Sequence, residues 1–145
     1  MSALLDAAAL VAFVRGEPAA DAVAAALRDG EASVASVNLA EVHDVLVRRI
    51  GLPEDEVAEA LRRLGSLLTV RPVDAALALR AGALRARRYD RSVAPISLAD
   101  CHCLASAGPD DVVLTSDGPL LRVAEMEGIA TRALPDSHGR RPGPA

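Results

Sequence analysis

Short apolar runs alternate with stretches of helical length along almost the whole chain. This alternation limits the fold more than any other feature. The runs are residues 2–5, Ala32–Ala35, LLTVRPV at 67–73, DDVVLTSD at 110–117 and IATRAL at 129–134. Each is too short for a helix of ordinary length and reads as a buried strand. Strands separated by helices are joined most simply in parallel, with the helices covering the sheet. The pattern therefore predicts an α/β domain with a mostly parallel central sheet and helices on both faces.

Helical signals fill the gaps. A helix is expected from about Ala8, broken by Gly16 and Pro18, and another over PAADAVAAALRDG at 18–30, where alanine favours helix and Gly30 closes it. After Ala35 the chain turns helical, with Ser36 or Asn38 able to cap the start and Val42, Val45, Leu46 and Ile50 at helical spacing. LPEDEVAEALRRLGSL places Pro53 near a helix start, acids in the first turn, and Arg62 and Arg63 near the end, the order the helix dipole favours. Further helices are expected over 74–91, over 97–108 with Ser97 as cap, and over 118–128. No internal repeat or linker interrupts the chain. One domain is expected over residues 1–134, followed by a Pro/Gly-rich tail at 135–145 expected to be disordered.

Composition narrows the partners. The chain of 145 residues has no Trp, one Phe and one Tyr, so its core must come from Leu, Val, Ile and Ala. The same scarcity argues against binding single strands by base stacking, which needs aromatic platforms. A net charge of −4 does not fit a protein that coats nucleic acid by neutralising phosphates. It leaves open a local acidic site that handles phosphates through a metal ion. All the basic residues are arginine. No eighteen-residue apolar segment is free of charge, so no membrane partner is indicated. Asp6 interrupts the apolar start and no basic region leads it, so a signal peptide is not expected and a soluble, cytoplasmic protein is.

In an open α/β sheet, ligands bind beyond the carboxyl ends of the strands. Four acids fall at such places. Asp6 follows the first strand, Glu41 lies early in the helix after the second, Asp100 is in the first turn of its helix, and Asp117 follows VVLTS. Taken singly, each has an ordinary structural explanation as a turn former or helix residue. Taken together, carboxylates at one edge raise one another's pKa unless a cation intervenes. Oxygen donors without paired thiolates select Mg²⁺ or Mn²⁺, and water acidified by such an ion can attack a phosphodiester.

The stretches LLDAAALVAFV, ASVNLAEVHDVL, ISLADCHCLASA and VVLTSDGPLLRVAEMEGI, in this order and spacing, resemble the four motifs of PIN domains. Within that family the likeness is to the small ribonucleases of the VapC toxin type. The resemblance implies a parallel sheet of four or five strands between helices, and Mg²⁺- or Mn²⁺-dependent cleavage of RNA. It assigns Asp6, Glu41, Asp100 and Asp117 as catalytic acids, with Asp6, Asp100 and Asp117 holding metal. Ser36, Asn38 and Thr115 fit the supporting polar positions. It further implies a homodimer and a cognate antitoxin that holds the nuclease inactive. One departure is visible: Ala7 and Ala8 stand where the family often carries Ser or Thr, so neither can offer a hydroxyl near the metal.

Cys101 and Cys103 cannot clasp one ion or bond to each other, because residues two apart on a helix point about 200° apart. One of them is expected in the core, and His102 at the surface or partly packed. The densest basic stretch, Arg80, Arg85, Arg87, Arg88 and Arg91, could grip RNA phosphates, but a solvated helix face explains it better. Arg48, Arg49, Arg62 and Arg63 are accounted for by helix dipoles and salt bridges. Two other functions compete with the nuclease. One is a PIN-like module of weak catalysis that binds RNA or a protein. The other is an aspartyl phosphatase, which would want a second Asp where Ala8 stands.

Overall fold

A computed structural model describes residues 2–143. Five strands, β1 (Ser2–Leu5), β2 (Ala32–Ala35), β3 (Thr69–Arg71), β4 (Asp111–Thr115) and β5 (Thr131–Ala133), form one sheet in the order β3-β2-β1-β4-β5. Every pairing is parallel. The helices are α1 (Ala7–Arg15), α2 (Ala20–Arg28), α3 (Ser36–Asp44), α4 (Glu54–Gly65), α5 (Ala75–Arg88), α6 (Leu98–Ser106) and α7 (Gly118–Met126). The expected α/β architecture is present, and the sheet is parallel throughout.

The pleat sends successive strand residues to opposite faces. Leu5, Val34 and Leu114 pack with α1 to α4, whereas Leu4 and Val113 pack with α5 to α7. Both cores are aliphatic: Leu4, Leu5, Leu10, Leu46, Ile96 and Leu120 are among the largest fully buried side chains. The chain leaves edge strand β3 and passes two strands to enter β4 beside central β1. The sheet therefore grows in opposite directions from β1, and a cleft opens at that point beyond the strands' carboxyl ends.

Several local expectations meet their physical reasons here. Gly16 terminates α1 at φ 64, a left-handed conformation that glycine adopts without strain. Asp6, Asp74, Ser97 and Asp117 are N-caps whose side chains accept from backbone N–H groups. No side chain caps α3, whose N-cap is Ala35. Ser36 Oγ instead accepts from Val73 N–H at 3.3 Å, and Asn38 turns its amide toward α6. Both cysteines of α6 are fully buried, where one was expected to be. The reason is position: α6 lies against the sheet while also packing on α5 and α3, so opposite sides of the helix are covered.

After α3 the chain makes one wide π-turn, Val45–Arg49, marked by the bond from Ile50 N–H to Val45 O at 2.9 Å. Nothing in the local sequence announces it. Across the sheet, Arg71 on β3 grips Asp111 on β4 in a two-pronged ion pair at 2.6 and 2.9 Å, and donates to Ser106 O at 2.8 Å. Of the expected tail, residues 144 and 145 lie outside the described residues, as does Met1 of the expected domain. Residues 135–143 contain no helix or strand; Asp136 Oδ1 there accepts from His138 N–H and Arg140 N–H. No helix among the described residues is long and apolar enough to cross a membrane.

Candidate active site

A cleft of about 410 Å³ lies beyond the carboxyl ends of β1 and β4, and Asp6, Glu41, Asp100 and Asp117 all line it. The four acids come from four different elements. Asp6 ends β1 and caps α1; Glu41 lies on α3; Asp100 is in the first turn of α6; Asp117 caps α7. A larger hollow of about 630 Å³, between α7 and the C-terminal segment, carries Arg122 and Glu125 but no group of carboxylates. Size alone would favour that hollow. The chemistry favours the acidic cleft.

Asp6 is only 2 % exposed. Its Oδ1 accepts from Ala9 N–H at 2.8 Å, and its Oδ2 accepts from the Thr115 hydroxyl. Thr115 Oγ1 in turn accepts from Asp117 N–H at 2.9 Å. One buried hydroxyl thus ties the first acid to the last. Burial pushes the Asp6 carboxyl from 3.8 up to about 7, against the pull of Thr115 and Ala9, with the charges of Asp100 and Asp117 adding to the rise. The hydroxyl that Ala7 and Ala8 cannot offer reaches Asp6 from β4.

Asp100 sits in a capping box: its Oδ2 accepts from Ser97 N–H at 2.8 Å, while Ser97 Oγ accepts from Asp100 N–H at 3.0 Å. Burial raises the Asp100 carboxyl, and the nearby Asp117 raises it further. Glu41 is raised by burial, then by the charge of Asp100. These mutual effects place the acids within electrostatic reach of one another, although they are dispersed over more than a hundred positions of sequence. Asp117 Oδ1 accepts from Leu120 N–H at 2.8 Å.

The supporting residues divide. Thr115 stands directly behind the acids. Asn38 is fully buried behind Glu41; its Nδ2 donates to Ala99 O at 3.0 Å and faces Glu41 Oε2 at 3.5 Å, linking α3 to α6 beside Asp100. Asn38 Oδ1 has no hydrogen-bond partner among the described residues. Ser36 is not brought to the cleft; it holds the entry to α5 through Val73. The cysteines take no part: burial pushes the Cys101 thiol to about 11 and holds Cys103 well above its ordinary value. His102 Nδ1 bonds Leu98 O at 2.7 Å, within its own helix.

Sequence reasoning did not place Arg15, Glu17, Arg49, Asp136 or Ser137 at this cleft, yet all five line it. No spacing signal could have found them, since Asp136 arrives from the segment after β5 and Arg49 through the π-turn. The basic stretch on α5 lies elsewhere: Arg87 and Arg88 pair with Glu127, and Arg85 donates to Ile96 O and stacks on Tyr89.

The donors suit a hard divalent cation in kind. They are carboxylate oxygens only, and Glu41, Asp100 and Asp117 each keep one oxygen outside these hydrogen bonds. Among the described residues, no three His, Cys, Asp or Glu side chains are already gathered to grip an ion.

The family model for the PIN domain matches residues 3–126. No curated protein sequence matches the chain. Among solved structures, the fold is similar to DNA-bound VapBC from Salmonella typhimurium, with a TM-score of 0.69 and 21 % identity over 91 % of this chain and 97 % of that one. It is also similar to a toxin–antitoxin complex from Klebsiella pneumoniae, with a TM-score of 0.58 and 22 % identity over 80 % of this chain and 87 % of that one. VapBC2 from Rickettsia felis, bound to a fragment of promoter DNA, shares the fold at a TM-score of 0.64 and 14 % identity, over 91 % and 98 % of the two chains.

Proposed function

The chain belongs to the PIN domain family, and on that premise we propose that it is a divalent-metal-dependent ribonuclease, the toxin of a toxin–antitoxin pair. The observation that carries the reading is the convergence of Asp6, Glu41, Asp100 and Asp117 on one cleft, with Asp6 buried and tied to Asp117 through Thr115. Asp6, Asp100 and Asp117 would hold Mg²⁺ or Mn²⁺. Glu41, half-buried and backed by Asn38, would orient the attacking water. When bound, the ion would make a coordinated water more acidic and would offset charge on the departing oxygen.

The residues behind the acids set their geometry. The Ser97 capping box fixes the Asp100 carboxylate at the start of α6, where the helix dipole favours its ionised form. Thr115 holds Asp6 and Asp117 in fixed relation, which costs less than ordering them when substrate arrives. A cognate antitoxin belongs to the same reading, supported by the fold shared with the toxin–antitoxin complex from Klebsiella pneumoniae, and a homodimeric state is proposed with it from the family resemblance alone.

The test is cleavage of total RNA and tRNA by the purified protein with Mg²⁺ or Mn²⁺, beside Asp6→Asn and Asp100→Asn. Cleavage by the wild type, lost in both variants and on chelation, is expected. Cleavage that survives both substitutions would remove the proposed chemistry. Wild-type protein that binds RNA without cutting it would instead favour the binding module.

A further inference from the structure

Cations also stand at the cleft, and their pairing separates them. Of the two arginines lining it, Arg15 rests 3.1 Å from Glu17; away from it, Arg48 is locked to Asp44 by two bonds at 2.8 and 2.7 Å, and Arg62 and Arg63 share Glu59. Arg49 is different. It is exposed, it lines the cleft together with the four acids, and among the described residues it has no hydrogen bond or ion pair. The π-turn explains why neighbours part. Its wide turn brings Val45, Arg49 and Ile50 to the cleft, while Arg48 is left on the side of Asp44.

An unpaired guanidinium beside four carboxylates has a chemical use that salt bridges and helix dipoles do not supply. Arg49 is exposed and lines the cleft with the acids. A polyanionic strand approaching the acids is repelled everywhere except where a cation meets it. The guanidinium fork matches phosphate oxygens in geometry as well as charge.

We propose that Arg49 anchors the RNA strand, binding a backbone phosphate next to the one that is cleaved and so setting the strand's register over the acids. The proposal rests on the ribonuclease reading and adds to it a substrate-positioning residue. Arg15, already held by Glu17, plays a lesser part. The interaction reads charge and phosphate shape, so it is blind to base sequence.

The experiment measures binding of a fluorescent single-stranded RNA oligonucleotide by anisotropy, with Ca²⁺ in place of Mg²⁺, over a range of salt. Steady-state cleavage with Mg²⁺ runs in parallel. Arg49→Ala is expected to weaken binding about tenfold and to lower the salt slope by about one, alike for different sequences. In cleavage it should raise KM by a similar factor and change kcat less. Arg49→Lys should restore the slope and part of the affinity, and Arg48→Ala should match the wild type. Because Arg49 is exposed and unpartnered, melting curves of the variant with and without Mn²⁺ should superimpose on those of the wild type. If the wild type cleaves RNA and Arg49→Ala matches it in KM and salt slope, the anchor is overturned and the nuclease stands. If the wild type binds RNA through Arg49 without cutting it, the nuclease is overturned, and with it the register over a cleaved bond, leaving Arg49 as a phosphate contact alone. Failure of the wild type to bind RNA overturns both.

Discussion

The buried carboxyl of Asp6 should make the metal-free protein less stable at neutral pH than its own Asp6→Asn variant. Burial raises this group from 3.8 to about 7 in the folded chain. Between those values the folded state holds a proton that the unfolded state has released. The stability contributed by the protonated carboxyl is therefore complete below about pH 4 and is lost as pH rises through about 7. At about 1.4 kcal/mol for each tenfold change in proton affinity, the full loss is about 4 kcal/mol. An asparagine carries no charge to bury. It keeps an acceptor for Ala9 N–H but meets the Thr115 hydroxyl less well, at a cost of about 1 kcal/mol. The variant should thus be about 1 kcal/mol less stable than the wild type at pH 4 and about 3 kcal/mol more stable at pH 8. The assay is urea unfolding followed by circular dichroism, in chelator, at both pH values. The comparison between the two proteins cancels the other titrating groups, such as Asp111 and Glu127, whose lowered values act in both. Saturating Mn²⁺ should reverse the order, stabilising the wild type and leaving the variant unmoved. Parallel stability curves across this pH range would refute the claim that Asp6 is held against its charge. A site that keeps a destabilised acid in readiness for a cation is a trade of stability for function.

The same geometry has other consequences. Thr115→Val removes the hydroxyl shared by Asp6 and Asp117, and should lower RNA cleavage about 10- to 100-fold while costing about 1–3 kcal/mol in urea unfolding. Asn38→Ala breaks the only side-chain bond from α3 to Ala99 O among the described residues, and should cost about 1–3 kcal/mol and lower kcat more than it raises KM; an unchanged kcat would deny it a role in placing Glu41. Asp111→Asn leaves the partly buried Arg71 without its counter-charge, and should lower stability by about 1–2 kcal/mol with cleavage by the folded fraction unchanged, as read by thermal unfolding and specific activity.

The alternation of strands and helices, the cap at Ser97, and the acids at strand ends were all legible in the residues. These are local matters. A strand shows in a run of apolar side chains, a helix start in an oxygen two or three residues before an orphan N–H, and a ligand edge in the polar residues just past each strand. Tertiary structure alone decided the rest. Thr115 reaches Asp6 across 109 positions, Asn38 reaches Ala99 across 61, and Arg71 reaches Asp111 across 40. Ser36, which looked like a cap and a site residue, is drawn to Val73 by the packing of α5. Adjacent arginines 48 and 49 are alike in sequence, yet one is spent on Asp44 and the other left free by a turn no local pattern announces. How deeply a charge is buried and whether it finds a partner depend on which distant segments close around it, and those contacts form only when the sheet is assembled.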